Sequence, residues 1–390
     1  MDASSLLVIL NDYKWTFLFY AAVIFLIYLN RRKLDWPAKF LGLYRTKAGL
    51  KLMDRMGKHE RLFRTLGTIG IYVGFAGMAL IVALLFKGLY DLVFVPSAPP
   101  VISPVIPGAM IPGVGIKVPL IIGWIALFVV IVIHEFSHGV VARAHRIKVQ
   151  SSGLMFLGPL GGAFVEPDEK ALVKAPKKAQ LGIFAAGPFS NLLSSLALYL
   201  VIGFVLVPLL VYFVAANGVV FSSVQPGYPA AAAGVRTGVV YDYVNNRSVH
   251  DSTEFTDALA GVKPGDQVIL ASSQAKESMV FTAAASPTNA SRGYLGVVLG
   301  TNLRWPGLSW LFAAYGWLVE IAMWTFILGL GIGLANLLPL GPVDGGRMLQ
   351  VAAEHLFGKQ RGHDVWAKIS ICMIAVIAIL LLVPLVKWMF

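Results

Sequence analysis

Long apolar stretches alternate with short polar connections along most of the chain. Each stretch is long enough to cover a hydrocarbon core of ~30 Å with ~20 helical residues, so each predicts a membrane-spanning helix. Six such stretches lie near residues 15–29, 67–94, 117–142, 181–214, 310–339 and 366–389. A basic segment, Asn30-Arg31-Arg32-Lys33, follows the first stretch in place of a small-residue cleavage site, so we interpret that stretch as an uncleaved anchor.

The stretch from 215 to 304 breaks this pattern. Its composition is polar, and turn signals such as Pro226-Gly227 and Asn245-Asn246 separate short β-rich runs. The pattern predicts a small α/β domain inserted between the fourth and fifth spans.

Composition agrees with a membrane protein. Of the 390 residues, 57% are hydrophobic and 13% are charged, which is too apolar for an ordinary soluble domain. The single cysteine, Cys372, leaves neither a disulfide framework nor a thiolate metal cluster. A bound metal ion must therefore be held by His, Asp or Glu.

The net charge of +12 is unevenly distributed. The loop at 31–65 is rich in Lys and Arg, whereas the Pro-rich loop at 95–116 contains neither. Because basic residues collect in cytoplasmic loops, residues 31–65 are predicted to be cytoplasmic and both termini to lie outside. No aromatic-interleaved basic element accompanies these charges, which argues against nucleic acid as a partner.

The third apolar stretch contains "IVIHEFSHGV" at 131–140. His134 and His138 are four residues apart, so on a helix they share one face, with Glu135 beside them. Two imidazoles suit Zn²⁺, whose catalytic sites use three protein ligands and leave a position for water, and the glutamate can serve as the general base. The alternative is hydrogen bonding within a helix bundle. Ionisable residues at membrane depth are costly and mostly functional, which favours the metal site.

A third ligand is expected from another span. The fifth span ends in "GIGLANLLPLGPVDGGRM", where Asp344 is the candidate ligand. The Pro and Gly residues around it predict an unwound helix end, which is tolerated at membrane depth where backbone is buried in protein or lines a cavity. Taken alone, Asp344 could instead cap a cytoplasmic turn or the start of the next segment.

Three motifs together resemble one known family. HEFSH at 134–138, GPFSN at 187–191 and NLLPLGPVDG at 336–345 follow one another along the chain in the family's order, each in an apolar segment. They are similar to the motifs of the site-2 protease family of intramembrane zinc metalloproteases. The fold class expected is thus a polytopic α-helical membrane protein of about six transmembrane helices, with a three-helix metalloprotease core in spans three, four and five and one inserted PDZ-like α/β domain.

The resemblance also implies roles for individual residues. One zinc ion per chain would be held by His134, His138 and Asp344, with Glu135 as the general base. Asn191 belongs to the GPxxN element and is a candidate catalytic residue, which would orient substrate or stabilise an oxyanion. An interhelical hydrogen bond is the alternative for Asn191.

The chain is expected to have five parts. They are an N-terminal two-span region with its basic loop at 1–116, a first part of the catalytic core at 117–214, a PDZ-like extracytoplasmic domain at 215–304, a second part of the core at 305–346, and a C-terminal span at 347–390.

The stretch "FLGPLGGAFVEPDEK" at 156–170 resembles the family's membrane-associated loop near the active site. Such a loop can present a strand edge to an extended substrate, because a transmembrane helix must unwind before its peptide bonds can be cut. Glu166, Asp168 and Glu169 are either extra metal or gating residues or, as we favour, part of a solvated turn.

The inserted segment looks like a PDZ domain, with Tyr294-Leu295-Gly296-Val297 at the position of the carboxylate-binding loop. The chain has Gly238-Val239 where an Asp commonly follows the glycine, so the fold is better supported than peptide binding. A peptide ligand and a steric filter or spacer both remain open.

The leading hypothesis is an intramembrane zinc endopeptidase that cleaves transmembrane segments of membrane-anchored proteins. Its partners would be a transmembrane protein substrate, the lipid bilayer and a peptide ligand of the PDZ-like domain, with no nucleic acid. The active site is expected towards the cytoplasmic side of the cell membrane. The alternative is a membrane scaffold or chaperone with a structural metal site; a metal transporter is disfavoured because few spans other than the fifth, with Glu320, carry ionisable residues.

Overall fold

The structure is a computed structural model that describes residues 3–95, 100, 102–111, 116–213, 215–287, 289–304 and 309–389. The α-helices are α1 (Ala3–Leu29), α2 (Leu50–Gly57), α3 (Glu60–Phe94), α4 (Leu120–Ala144), α5 (Glu169–Lys174), α6 (Lys177–Val201), α7 (Val207–Phe213), α8 (Pro229–Ala232), α9 (Ser252–Ala258), α10 (Ser309–Asn336), α11 (Asp344–Phe357) and α12 (Lys359–Met389). A 3-10 turn (Arg31–Lys33) follows α1, and a π-helical segment (Ile202–Leu206) joins α6 to α7.

The strands are β1 (Asp35–Ala38), β2 (Leu41–Thr46), β3 (Val149–Leu157), β4 (Leu160–Pro167), β5 (Ala215–Val224), β6 (Val240–Tyr241), β7 (Tyr243–Val244), β8 (Arg247–Ser248), β9 (Gln267–Ser272), β10 (Glu277–Thr282), β11 (Ala284–Ala285), β12 (Gly293–Tyr294) and β13 (Val297–Arg304). β1 to β4 form one antiparallel sheet in the order β1-β2-β3-β4. β4 is therefore an edge strand of this sheet.

Six helices of the described part of the chain are long and apolar enough to cross a membrane, which confirms the predicted number of spans. They are Asn11–Leu29, Glu60–Phe94, Leu120–Ala144, Lys177–Leu210, Trp310–Asn336 and Lys359–Val383. Several begin earlier than the apolar stretches did, because polar residues at the helix ends extend the helix beyond its apolar part. Part of the predicted loop at 95–116 lies outside the described residues, and so does 305–308, the start of the second part of the predicted core.

Close helix packing in the membrane part depends on glycine. A Cβ added to Gly67 of α3 would lie 3.5 Å from the carbonyl oxygen of Gly182 on α6, so the two backbones nearly touch. Small residues of this kind let membrane helices approach and gain van der Waals contact where no hydrophobic effect drives association. Further along α3, Gly77 lies against the Leu337 side chain, which is completely buried.

The chain divides into two compact units, Met1–Ile202 with Trp317–Phe390, and Gly203–Gly316. In the second unit β13, β5 and β6 form one sheet and β10, β9, β7 and β8 another. Their shared core contains Phe221, Tyr241 and Phe255. This unit includes the segment 215–304 for which the sequence predicts a PDZ-like domain, and that assignment stays a prediction.

Candidate metal centre

Helix α4 places both histidines of the HEFSH motif on one side. The ring centroids of His134 and His138 are 4.9 Å apart, as expected for residues separated by one helical turn. His134 is buried and His138 is partly buried. The helix is apolar from Leu120 to Ile133, so the two imidazoles create a polar position inside the first compact unit (Met1–Ile202 with Trp317–Phe390), which is called the membrane unit below.

Asp344 reaches the same position from a distant part of the chain. Helix α10 ends at Asn336, and after a non-helical connection through Pro339 the next helix, α11, begins at Asp344. The Asp344 Oδ2 atom lies 3.0 Å from His134 Nε2 and 3.3 Å from His138 Nε2. A carboxylate in the first turn of α11 is also stabilised by the helix dipole.

The glycines after Asp344 allow the connection to fold back on α11. A side chain at Gly345 would collide with the backbone carbonyl group of Leu337, and one at Gly346 would collide with the Leu340 carbonyl. The connection therefore passes directly over the start of α11, which fixes the position of the Asp344 carboxylate.

The three candidate ligands form a compact set. One ligand atom from each of His134, His138 and Asp344 can be chosen so that all lie within 4.8 Å of one another. Two imidazole nitrogens and one carboxylate oxygen are ligands that Zn²⁺ accepts in catalytic sites. The donor set therefore fits a zinc ion, and its role as a zinc site stays a prediction.

Gly187 of α6 supports this fit. A Cβ atom built on Gly187 would lie 2.6 Å from His134 Nε2, and nearer still to His138 Nε2. The absence of a side chain therefore leaves space next to both Nε2 atoms, on the side from which a metal ion must be bound. The GPFSN motif pointed to this segment, but nothing in its residue types indicates that its glycine lies against the imidazoles.

The far nitrogens of both histidines are hydrogen-bonded to α6. His138 Nδ1 lies 2.7 Å from the backbone oxygen of Ile183, and His134 Nδ1 lies 3.1 Å from the amide nitrogen of Asn191. Partners of this kind fix the orientation of metal-binding imidazoles. The Ile183 contact was not foreseen, because a backbone carbonyl has no signature in the sequence.

Glu135 is partly buried beside the ligand set. Its Oε2 atom accepts a hydrogen bond from the backbone N–H of Val165 at 3.1 Å. Val165 belongs to the edge strand β4, so this strand holds one oxygen of the carboxylate. This contact was also not predicted, although the 156–170 stretch was expected near the site.

Other polar residues considered in the sequence have contacts outside the ligand set. The Asn336 side chain donates to the Ile332 carbonyl of its own helix at 3.0 Å. Glu166 accepts from Ser151 Oγ at 2.6 Å and pairs with Arg45.

Asp168 caps helix α5. Its side chain accepts a hydrogen bond from the backbone N–H of Ala171 at 2.9 Å. That N–H lowers the pKa of the Asp168 carboxyl below its usual value. Asp168 and the exposed Glu169 thus begin helix α5 and Glu166 lies in β4, whereas the favoured interpretation of these three residues was a solvated turn.

These features define a class of protein. A helical bundle with six candidate spans contains a His-His-Asp set with a glutamate beside it, which is the composition of a metallopeptidase site inside a membrane protein. The chain belongs to peptidase family M50, the site-2 protease family, whose family model matches residues 122–378. It is accordingly a multi-pass membrane protein of a metalloprotease family.

Two curated proteins are similar to the chain over part of its length. A protein of Methanocaldococcus jannaschii, named Uncharacterized protein MJ0971, is 26% identical over 334 residues, which cover 84% of this chain and 81% of the relative. Zinc metalloprotease RasP of Oceanobacillus iheyensis is 25% identical over 234 residues, which cover 48% of this chain and 53% of RasP. The matched part thus spans about half the length of RasP.

Proposed function

We propose that this protein is an intramembrane zinc endopeptidase that cleaves transmembrane segments of membrane-anchored proteins. The observation that carries the proposal is the convergence of His134, His138 and Asp344 inside the membrane unit, with the Glu135 carboxylate beside them. A structural metal site would not need a glutamate at that position. The relative named as a zinc metalloprotease agrees with the proposal.

In the proposed reaction His134, His138 and Asp344 hold the metal. When bound, zinc supplies a Lewis acid that polarises the scissile carbonyl and makes water more acidic. Glu135 accepts the proton of the attacking water and passes it to the nitrogen of the leaving amine. The Val165 N–H holds Oε2 of this carboxylate, which leaves Oε1 to carry the proton.

The substrate segment would bind in extended form along β4. The Val165 N–H points away from β3 and towards Glu135, so the edge of β4 that pairs with no strand of the described residues is the edge nearest the general base. A substrate strand added to that edge would satisfy its own backbone groups there, as an unwound membrane helix requires. Its peptide bonds would then pass close to Glu135.

The proposal also includes the side of the membrane on which each part of the chain would lie. The zinc site would lie within the bilayer towards the cytoplasm, because the basic segments between the spans are expected on that side. The segment 215–304 would form a PDZ-like domain on the opposite side, which selects or filters substrates. The divisions at 117–214 and 305–346 would delimit the two halves of the catalytic core.

The test compares Glu135→Gln with the wild type and with Glu169→Gln, a control at an exposed acidic residue in α5. Each purified protein is reconstituted in vesicles with a panel of single-span membrane proteins, and fragments are identified by mass spectrometry. We expect Glu135→Gln to retain zinc and to lose cleavage by ~10²–10⁴-fold, the usual contribution of a general base. The control should cleave like the wild type.

Two results would contradict the proposal. Undiminished cleavage by Glu135→Gln would remove Glu135 from the mechanism. A wild-type protein that carries no metal after zinc loading would favour the scaffold or chaperone alternative.

A further inference from the structure

Asn191 lies at the centre of the membrane unit and has no contact with solvent. Its relative exposure is 0%, and it is enclosed by α10, where a Cβ added to Gly333 would lie 3.2 Å from the Asn191 Cβ atom. The amide nitrogen of Asn191 is 3.1 Å from His134 Nδ1. A buried amide in this position must have a structural or functional reason, because burying polar groups is costly.

The position of Asn191 does not match that of an oxyanion donor. The two nitrogens of an imidazole lie on different edges of the ring, and His134 Nε2 faces Asp344 at 3.0 Å. Asn191 is bonded to the other nitrogen and therefore lies behind the ring, away from the ligand set. An oxyanion donor must instead reach within ~2.7–3.1 Å of a substrate oxygen on the metal side.

His138 shows which tautomer the site favours. Its Nδ1 atom lies 2.7 Å from the Ile183 carbonyl oxygen, and a carbonyl can only accept. His138 Nδ1 therefore carries the hydrogen, and its Nε2 keeps the lone pair that a metal requires. Helix α6 thus holds His138 from behind in the metal-binding tautomer.

The same tautomer of His134 requires an acceptor at Nδ1. As the amide is oriented, Nδ2 faces the ring, and the Asn191 Oδ1 atom is buried without a hydrogen-bond partner among the described residues. A half-turn of the amide exchanges its nitrogen and oxygen without moving any other atom, and such exchanges are settled by the hydrogen-bond network. After this turn Oδ1 accepts from His134 Nδ1–H, and the amide nitrogen takes the buried position that the oxygen held.

We infer that Asn191 is a positioning residue whose amide oxygen accepts the His134 Nδ1–H and so fixes the tautomer and ring orientation in which Nε2 faces the metal. This inference rests on the proposed zinc site. Ile183 and Asn191 both lie on α6, and each then accepts the Nδ1–H of one histidine. Outer partners of this kind typically change metal affinity ~10- to 100-fold when removed.

The test measures zinc affinity of the full-length protein in detergent by competition with a chelator. Asn191→Leu removes the acceptor, Asn191→Asp keeps an acceptor at the same place, and Ser195→Ala is the control. Ser195 lies one turn further along α6 and is also buried, and its hydroxyl has no hydrogen-bond partner among the described residues.

We expect Asn191→Leu to bind zinc ~10- to 100-fold more weakly, whereas Asn191→Asp and Ser195→Ala stay within a few-fold of the wild type. Cobalt-loaded Asn191→Leu should also show an altered visible spectrum, since the ligand set is distorted. If Asn191→Leu fails to fold, the zinc affinity of Asn191→Asp is compared with that of the wild type instead. A 10-fold or greater loss of affinity in folded Asn191→Asp would overturn the inference, because it would show that the amide N–H is the group required.

An oxyanion role predicts a different result, namely unchanged zinc affinity in Asn191→Leu with kcat reduced by ~10²–10³-fold. That result would overturn the inference and leave the proposed function standing. A wild-type protein without measurable zinc affinity would instead overturn the proposed function, and the inference with it.

Discussion

Substituting Gly187 by alanine tests whether the metal is bound where the three ligands meet. The added methyl carbon would lie 2.6 Å from His134 Nε2 and 2.7 Å from His134 Cδ2. A zinc ion needs Nε2 at ~2.0–2.1 Å, so the methyl group and the ion compete for the same space. An ordinary contact of ~3.5 Å would require the ring to move by at least ~0.9 Å.

The displacement of the His134 ring determines the zinc affinity expected for Gly187→Ala. Ligand distances in a zinc site tolerate only about ±0.2 Å, so a shift of ~0.9 Å breaks the site. We expect zinc affinity to fall by more than ~100-fold, beyond the range for loss of an outer partner. The atoms that clash are imidazole tips, which can turn away, so the protein should still fold.

The stability of the metal-free protein gives the second readout. Overpacking costs ~1–3 kcal/mol, and alanine in place of glycine inside a helix returns ~1 kcal/mol, so the net loss should be roughly 0–2 kcal/mol. Zinc per chain is measured by elemental analysis, and stability by thermal unfolding in detergent.

Gly182→Ala is the matched control in the same helix. Its Cβ atom would meet nothing nearer than 3.5 Å, so zinc should stay bound and stability should be unchanged or slightly higher. If Gly187→Ala binds zinc as tightly as the wild type, the ion is held elsewhere and the ligand assignment is wrong.

Two further predictions concern the supporting structure. Burial, reinforced by the nearby Arg64, lowers the pKa of His145, so this residue contributes stability above its unfolded pKa of ~6.5 that is lost as the pH falls through the folded value. Thermal unfolding between pH 7.5 and 5.5 should therefore show a smaller loss of stability in His145→Gln than in the wild type; equal losses would refute this. Leu337→Ala should cost ~2–5 kcal/mol, because the residue is fully buried in the connection that leads to Asp344, and Leu330→Ala, with 40% of that side chain exposed, should cost less in the same unfolding assay.

The membrane spans could be predicted from sequence because length and hydrophobicity alone determine them. The helix ends could not be placed as well. Helix α3 begins at Glu60 and α6 at Lys177, both before the apolar stretches, whereas α10 stops at Asn336, just before Pro339. Helix geometry continues through charged residues at a membrane surface, whereas α10 ends three residues before Pro339.

The sheet of β1 to β4 could not be predicted from the sequence. Residues 31–65 were predicted only as a basic loop, yet β2 within them pairs with β3, from Leu41 with Leu157 to Thr46 with Ser152. These partners are more than a hundred residues apart in the chain. Strand propensity depends strongly on such neighbours, and a short segment of the sequence does not reveal them.

Some groups of the candidate site could be predicted from the sequence and others could not. The spacing of His134 and His138 and the motif around Asp344 were sufficient to name the side chains that meet in the structure. The Ile183 carbonyl and the Val165 N–H were not predictable, since every residue carries these groups and only the fold selects which ones reach the site. Sequence therefore predicted the candidate ligands better than the groups that orient them.

The groups that orient the candidate ligands and the group that orients Glu135 come from different elements of the fold. Helix α6 contacts the imidazoles from behind through Ile183 and Asn191, whereas the edge strand β4 holds Glu135 through Val165. Binding of an extended substrate along β4 would therefore act on the proposed general base directly and on the ligand set only through α4. In the proposed endopeptidase, the Glu135 carboxylate would therefore adjust to a bound substrate while the candidate ligands stay fixed by α6.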